Sequence, residues 1–324
     1  MEQKRLDYID TAKGILIMFV IFGHIGWHLM DCCNIINEVL TTFRFLFWHI
    51  ISPFYMCAFF FIRGYCSRWN KTPKQVFISD LLNIMLPMLV FNIYHDAWFC
   101  YAMMFSSLVY ITLKRFIDNK VILPISILFV SILGICMHHF GLNWSYISFA
   151  LPNICFLYIG DNLRKNENIK RVFTYISLLF LPICCYSVFN NIDLPFITGA
   201  YYRVSLSTFP FFILLGTMGT LLILKLSEFC KNKTFEYIGK KSLFFYLFHY
   251  LFLKIMGRIM VRVPNLDGNV IWIFIYFALF LFVIASTYYT AKLLDRYLPW
   301  IFKIHKQSLV PTKIRDELKF KIFK

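Results

Sequence analysis

Ten stretches of the chain are apolar over about 17–22 residues each, enough to cross a hydrocarbon core as helices. They lie near 12–31, 44–66, 77–94, 97–114, 120–137, 144–161, 171–189, 207–226, 241–261 and 270–291, with short polar gaps between them. Inside a bilayer every backbone N–H and C=O must be paired within the protein, which leaves helices or closed barrels. The pattern predicts an all-α integral-membrane bundle of about ten transmembrane helices. Pro87, His95–Asp96 and Pro152 interrupt the third, fourth and sixth stretches.

The polar gaps carry an orientation signal. In alternate gaps, counted with both chain ends, fall 27 of the 33 Lys and Arg residues. The opposite gaps hold only Arg44, Arg203, Arg258 and Arg262, while Arg63 and Lys254 lie inside apolar stretches. Basic residues accumulate on the cytoplasmic side, so both termini are expected there. One membrane-embedded domain is expected over 1–300, followed by a basic cytoplasmic tail over 301–324 that is attracted to the lipid surface.

Composition agrees. Of the 324 residues 59% are hydrophobic and 15% charged, with a mean hydropathy of +0.65; soluble chains run at about 45–50% and 25%. The net charge of +16 is spread over the gaps rather than gathered in a patch, so membrane lipid is the expected partner and nucleic acid is not. The ten cysteines form no CxxC and no zinc-like cluster, and inside apolar runs free Cys acts as a small hydrophobe. The N-terminal run has no small-residue cleavage site after it and reads as a first span rather than a signal peptide.

Within that first span the segment KGILIMFVIFGH carries Lys13 and, eleven residues on, His24. At about 1.5 Å rise and 100° per residue they are roughly 16 Å apart on one helix face, with Asp10 close to the same line. An ionisable side chain at mid-membrane is costly and by default functional. The bland alternative is a neutral histidine hydrogen-bonded in the bundle, with Asp10 and Lys13 anchoring the interface.

RLDYIDTAKGILIMFVIFGH resembles the opening of the acyltransferase 3 family of integral-membrane acyltransferases, an Asp, then a basic residue, then ten residues and a His. FYMCAFFFIRGY resembles the family's Phe-rich second span, DAWFCYAMM its Trp-Phe segment, and FEYIGKKSLFFYLFHYLF its late Ile-Gly-Lys segment ending in His. The resemblance implies a ten-span core and transfer of an acyl group, usually acetyl from acetyl-CoA, to a hydroxyl of a cell-envelope sugar. It implies no permanently bound cofactor; acyl-CoA is a co-substrate. His24 would be the general base, since a sugar hydroxyl must lose its proton as it attacks the thioester and histidine is suited to this near neutral pH. An acyl-histidine intermediate is the other chemical route. Asp10, Lys13 and Arg63 would support the donor, Arg63 by binding phosphate, unless it snorkels to the interface.

The chain departs from the family pattern at two places. Arg63 stands where the family usually has Ser, and VFISDLLNIMLP places Asp80 and Asn83 where the family has a basic run. His249 is expected at a depth like that of His24, where it would orient the acceptor or assist the base. His95, Asp96, Trp98 and Tyr101 are expected at the outer side, as an acceptor entrance or as interfacial anchors. His138, His139 and Asn143 read as an outer loop. His24 and His28 are four apart, but no third ligand for a metal is apparent. A polysaccharide exporter without acyl transfer, or a membrane subunit with no site, fits the same span count.

Overall fold

The computed structural model describes residues 7–33, 35, 37–67, 69–91, 98–142, 144–198, 201–230, 232–260 and 269–297. The helices are α1 (Asp7–Asp31), α2 (Glu38–Cys66), α3 (Pro73–Phe91), α4 (Trp98–Phe116), α5 (Ile122–His139), α6 (Ile147–Lys165), α7 (Glu167–Asn190), α8 (Phe209–Phe229), α9 (Lys233–Lys240), α10 (Ser242–Met260) and α11 (Val270–Tyr297). Among the described residues there is no strand, and an isolated antiparallel bridge joins Ile197 to Tyr202. The expected tail 301–324, Arg262 and His95 lie outside the described residues.

Among the described residues eight helices, all but α4, α6 and α9, are long and apolar enough to cross a membrane. The chain is therefore an all-α, multi-pass membrane protein in its architecture. The 19-residue α4 and α6 each carry a basic pair in the last turn, Lys114–Arg115 and Arg164–Lys165, and turn polar groups inward: Ser106, Ser107, Asn153 and Asp161 are all buried. Ser106 Oγ reaches the Ala150 carbonyl oxygen at 2.8 Å, and Asn153 Nδ2 donates to that of Phe149 at 2.7 Å, since such groups are costly in the interior unless bonded. Pro152 does not break α6. His138 and His139 form the last turn of α5 rather than an outer loop, with the chain turning at Gly141, where φ is +73°.

Local sequence sets the helix starts. Asn37 accepts from the Val39 N–H at 2.8 Å, so α2 begins six residues ahead of the apolar run. Thr72 and Gln75 form a capping box that brackets Pro73, and Asn166 and Asn232 cap α7 and α9. Pro53 lies in a turn over Ser52–Phe54 that bends α2, and wide π-type turns occur at His28–Cys32, Phe47–Ile51 and Leu81–Met85.

Burial separates inner from outer helices. The most apolar windows of α1, α2 and α8 are 61–67% buried, against 22% for α3, α5 and α7. Two helix pairs approach closely through reciprocal glycines. Gly64 of α2 meets the backbone of Leu157 while Gly160 of α6 meets that of Phe61; Gly14 of α1 meets the Phe235 carbonyl while Gly239 of α9 meets that of Asp10. A Cβ at any of the four would overlap main-chain atoms. Small residues permit this backbone contact where no hydrophobic effect drives helices together. The short α9 is tied further to α11, where Tyr237 donates to Asp295 at 3.1 Å and Lys241 pairs with the same carboxylate. Burial and the Asp295 charge both raise the Tyr237 pKa, so the hydroxyl stays a donor.

Candidate functional site

The face of α1 read from the sequence lines two cavities placed end to end. The lower one, about 280 Å³, is bounded by Lys13, Ile17, Arg63, Ser67, Phe99 and Leu243 among others. The upper one, about 360 Å³, is bounded by His24, Trp27, Arg44, Trp48, Trp98 and Tyr250 among others. Val20, Met56 and Tyr246 line both cavities. Along α1 the residues Lys13, Ile17, Val20, His24 and Trp27 follow the spacing of one helix face. A single stripe thus runs from an ammonium, across a thin apolar partition, to an imidazole.

At the far side of the partition His24 meets His249 of α10. Their rings lie within 8° of parallel, with centroids 4.9 Å apart and His24 Nδ1 2.7 Å from His249 Nε2. That separation suits two rings meeting edge to edge through a hydrogen bond rather than face to face. His249 is fully buried, and its Nδ1 lies 2.9 Å from the Phe245 carbonyl oxygen. A carbonyl only accepts, so His249 Nδ1 carries a proton. In the neutral pair His249 Nε2 is then the acceptor, and His24 Nδ1–H donates to it. By the same logic the lone pair of His24 resides on Nε2. A neutral imidazole in this form can take a proton at Nε2, and the form is set by a backbone carbonyl through a second histidine.

At the base of the stripe, Lys13 Nζ is 3.7 Å from the buried Asp10 carboxylate, one helical turn away. Asp10 sits where Gly239 presses on its carbonyl, so the first and last of the recognised motifs meet in space. Arg63 also lines the lower cavity, and its Nη2 donates to Asp80 Oδ1 at 2.5 Å. Asp80 is 2% exposed. The two departures from the family pattern are therefore partners. The guanidinium expected to bind phosphate is bonded through one Nη to the carboxylate that interrupts the basic run.

The upper cavity ends in an aromatic and cationic rim. Arg44 donates to Asp31 Oδ1 at 3.2 Å and to the Tyr201 hydroxyl at 2.9 Å, and its guanidinium lies 4.5 Å from the Trp48 ring centroid. Arg203 lies 4.7 Å from the same ring and donates to Asp193 at 2.5 Å. The sequence counts Arg44 and Arg203 only as outer cations; the fold brings both onto one indole.

No family model, curated protein or solved structure matches the chain.

Of the residues singled out in the sequence, His24 and Trp98 border the upper cavity, Lys13 and Arg63 border the lower, and Asp10 and His249 support them from behind. Among the described residues no three His, Cys, Asp or Glu converge as a metal site. Tyr246, one turn before His249, and Tyr250, the residue after it, also face the cavities. Their i, i+3, i+4 spacing in FFYLFHYLF was the available signal, hidden in a run where every position is apolar or aromatic.

Proposed function

We propose that the chain is a membrane O-acyltransferase that moves an acyl group, acetyl in the usual case, from cytoplasmic acyl-CoA to a hydroxyl of an envelope glycan or glycolipid. In this reading α4 and α6 also span, giving ten spans with both termini cytoplasmic, in the cell membrane of a bacterial-type envelope. The observation that carries it is the paired arrangement along α1: a cation-bordered cavity and an aromatic cavity that meet at Val20, Met56 and Tyr246, with a hydrogen-bonded histidine pair beside the meeting point. It agrees with the resemblance of RLDYIDTAKGILIMFVIFGH to the opening of the acyltransferase 3 family.

The donor occupies the lower cavity with its thioester toward Val20, and the acceptor hydroxyl enters the upper one. His24 Nε2 takes the hydroxyl proton as the oxygen attacks the thioester carbonyl carbon. The tetrahedral adduct collapses with cleavage of the C–S bond, and the proton returns from His24 to the leaving thiolate. Lys13, steadied by Asp10, and Arg63, held by Asp80, shape the donor end. Aromatic walls, Trp98 among them, suit the faces of a sugar ring.

Membranes carrying the wild type, His24→Ala and Lys13→Ala are incubated with acetyl-labelled acetyl-CoA, and label is followed into envelope glycan. Labelling by the wild type that is lost in His24→Ala is expected. Normal labelling with His24→Ala sinks the mechanism, and no labelling from any acyl-CoA in the wild type returns the choice to an exporter.

A further inference from the structure

A second group of cations stands beside the lower cavity, at the ends of α4, α6 and α7. Asp161 of α6 is 1% exposed and accepts from the Tyr110 hydroxyl at 2.9 Å, from Lys165 Nζ at 3.0 Å, from Arg164 Nη2 at 3.1 Å and from Lys114. One buried carboxylate thus gathers three cations. Arg164 Nη1 also donates to the carbonyl oxygen of Ser67, at 2.6 Å, and Ser67 lines the lower cavity. On the other flank of the same chain end, Lys170 Nζ donates to the Tyr65 hydroxyl at 3.0 Å and lies 3.6 Å from Glu167. The Glu167 side chain is 72% exposed, and nearby Glu228 is held by Lys225 at 2.6 Å. Four cations therefore face two carboxylates, one of them screened by water, and the excess is positive.

The close α2–α6 crossing made by Gly64 and Gly160 fixes this group against the end of α2. Asp161 holds the cations in place before any ligand arrives, which removes much of the ordering cost of binding. A buried carboxylate alone does not need three cations. Arg and Lys on such a frame match phosphate oxygens, Arg bidentately. Asp80 takes one Nη of Arg63 and offsets its charge, so Arg63 by itself gives the lower cavity little net positive charge for a polyanion.

Resting on the function proposed above, we infer that Arg164, Lys165 and Lys170 form a phosphate shelf. It takes the nucleotide end of the donor, whose uncharged arm passes Ser67 into the lower cavity. This places the anion site at the ends of α6 and α7 rather than on α3, where the family's basic run would lie.

The test uses purified full-length protein in phosphatidylcholine nanodiscs, with adenosine 3′,5′-bisphosphate as the binding probe and acyl-CoA and acyl-pantetheine as alternative donors. The variants are Lys165→Gln, at a side chain 52% exposed, and Lys170→Gln, with Lys292→Gln as a charge-matched control on α11. Loss of one charge-assisted phosphate contact should raise the Kd for the bisphosphate, and the KM for acyl-CoA, by roughly tenfold. Acyl-pantetheine, which lacks the nucleotide, should be used equally well by wild type and variants, and the control should be silent. Bisphosphate binding that weakens in the variants supports the shelf even if the wild type transfers no acyl group, a result that would sink only the enzymatic reading. Acyl transfer by the wild type with unchanged Kd and KM in both variants overturns the shelf and leaves the enzymatic reading standing. Equal losses with acyl-pantetheine overturn it as a structural effect. A wild type whose cations respond to phosphatidylglycerol in the nanodisc, but not to the bisphosphate, assigns them to lipid headgroups and overturns it too.

Discussion

His24 and His249 lie 225 residues apart in the chain and 2.7 Å apart between ring nitrogens, and the Phe245 carbonyl behind His249 determines which nitrogen of each ring carries the proton. On the proposed mechanism His249 is therefore a positioning residue for the base. His249→Phe should lower kcat by about 10²–10⁴, the range of general-base catalysis, with little change in the KM for donor. His249→Gln, whose side-chain carbonyl can accept from His24 Nδ1–H, should recover part of that loss. Steady-state kinetics of both variants decides it; equal activity of His249→Phe and wild type would make the pair mere packing.

Arg63 and Asp80 should behave as a unit. Arg63→Ser alone strands a buried carboxylate, an error that costs roughly 3–5 kcal/mol when a buried pair is broken, and Arg63 is exposed enough to place this case at the low end. Asp80→Arg alone sets two guanidiniums together. The double variant Arg63→Ser/Asp80→Arg removes both faults. Thermal unfolding in detergent should show two depressed midpoints for the single variants and a higher one for the double. Additive losses in the double variant would refute the coupling.

The reach of the sequence differed from one feature to another for physical reasons. Spans such as α1 and α8 were legible because a bilayer demands long apolar runs. The shared face of Lys13 and His24 was legible because helical geometry is fixed within a segment. The start of α2 was not, because the Asn37 cap lies outside the apolar run and extends the helix through polar residues. The Arg63–Asp80 and His24–His249 pairs each join separate helices, and spacing along the chain says nothing of which helices adjoin. Spacing likewise hides the carboxylate partner of Arg63, which is 17 residues away on the next helix.

Reciprocal glycines make a prediction about assembly. Gly239→Ala would drive a methyl group into the Asp10 carbonyl, and Gly14→Ala one into that of Phe235. Neither neighbour is a side chain that can swing away, so the backbones must part. Overpacking of this kind costs about 1–3 kcal/mol. Each variant should lower the unfolding midpoint in detergent, and each should reduce activity as well, because the displaced backbone carries Asp10 and Lys13. An unchanged midpoint in both would mean that α9 does not lock α1.

The partition between the cavities offers the most direct test of their joint use. Val20 is 2% exposed to the surroundings and borders both cavities, as Met56 and Tyr246 do. If a thioester must pass this point to reach the hydroxyl at His24, narrowing it stops the chemistry without touching either end. Val20→Phe adds bulk at the junction while leaving Lys13, Arg63, His24 and His249 in place. Acyl transfer should fall by at least about tenfold, a barrier increase of about 1.4 kcal/mol. Binding of adenosine 3′,5′-bisphosphate should stay at the wild-type level, because that probe lacks the arm that enters the cavity. Val20→Ala, which widens the passage, should keep transfer and accept a longer acyl chain. Full transfer by Val20→Phe, in protein shown to fold with an unchanged midpoint, would mean that donor and acceptor meet somewhere other than this junction.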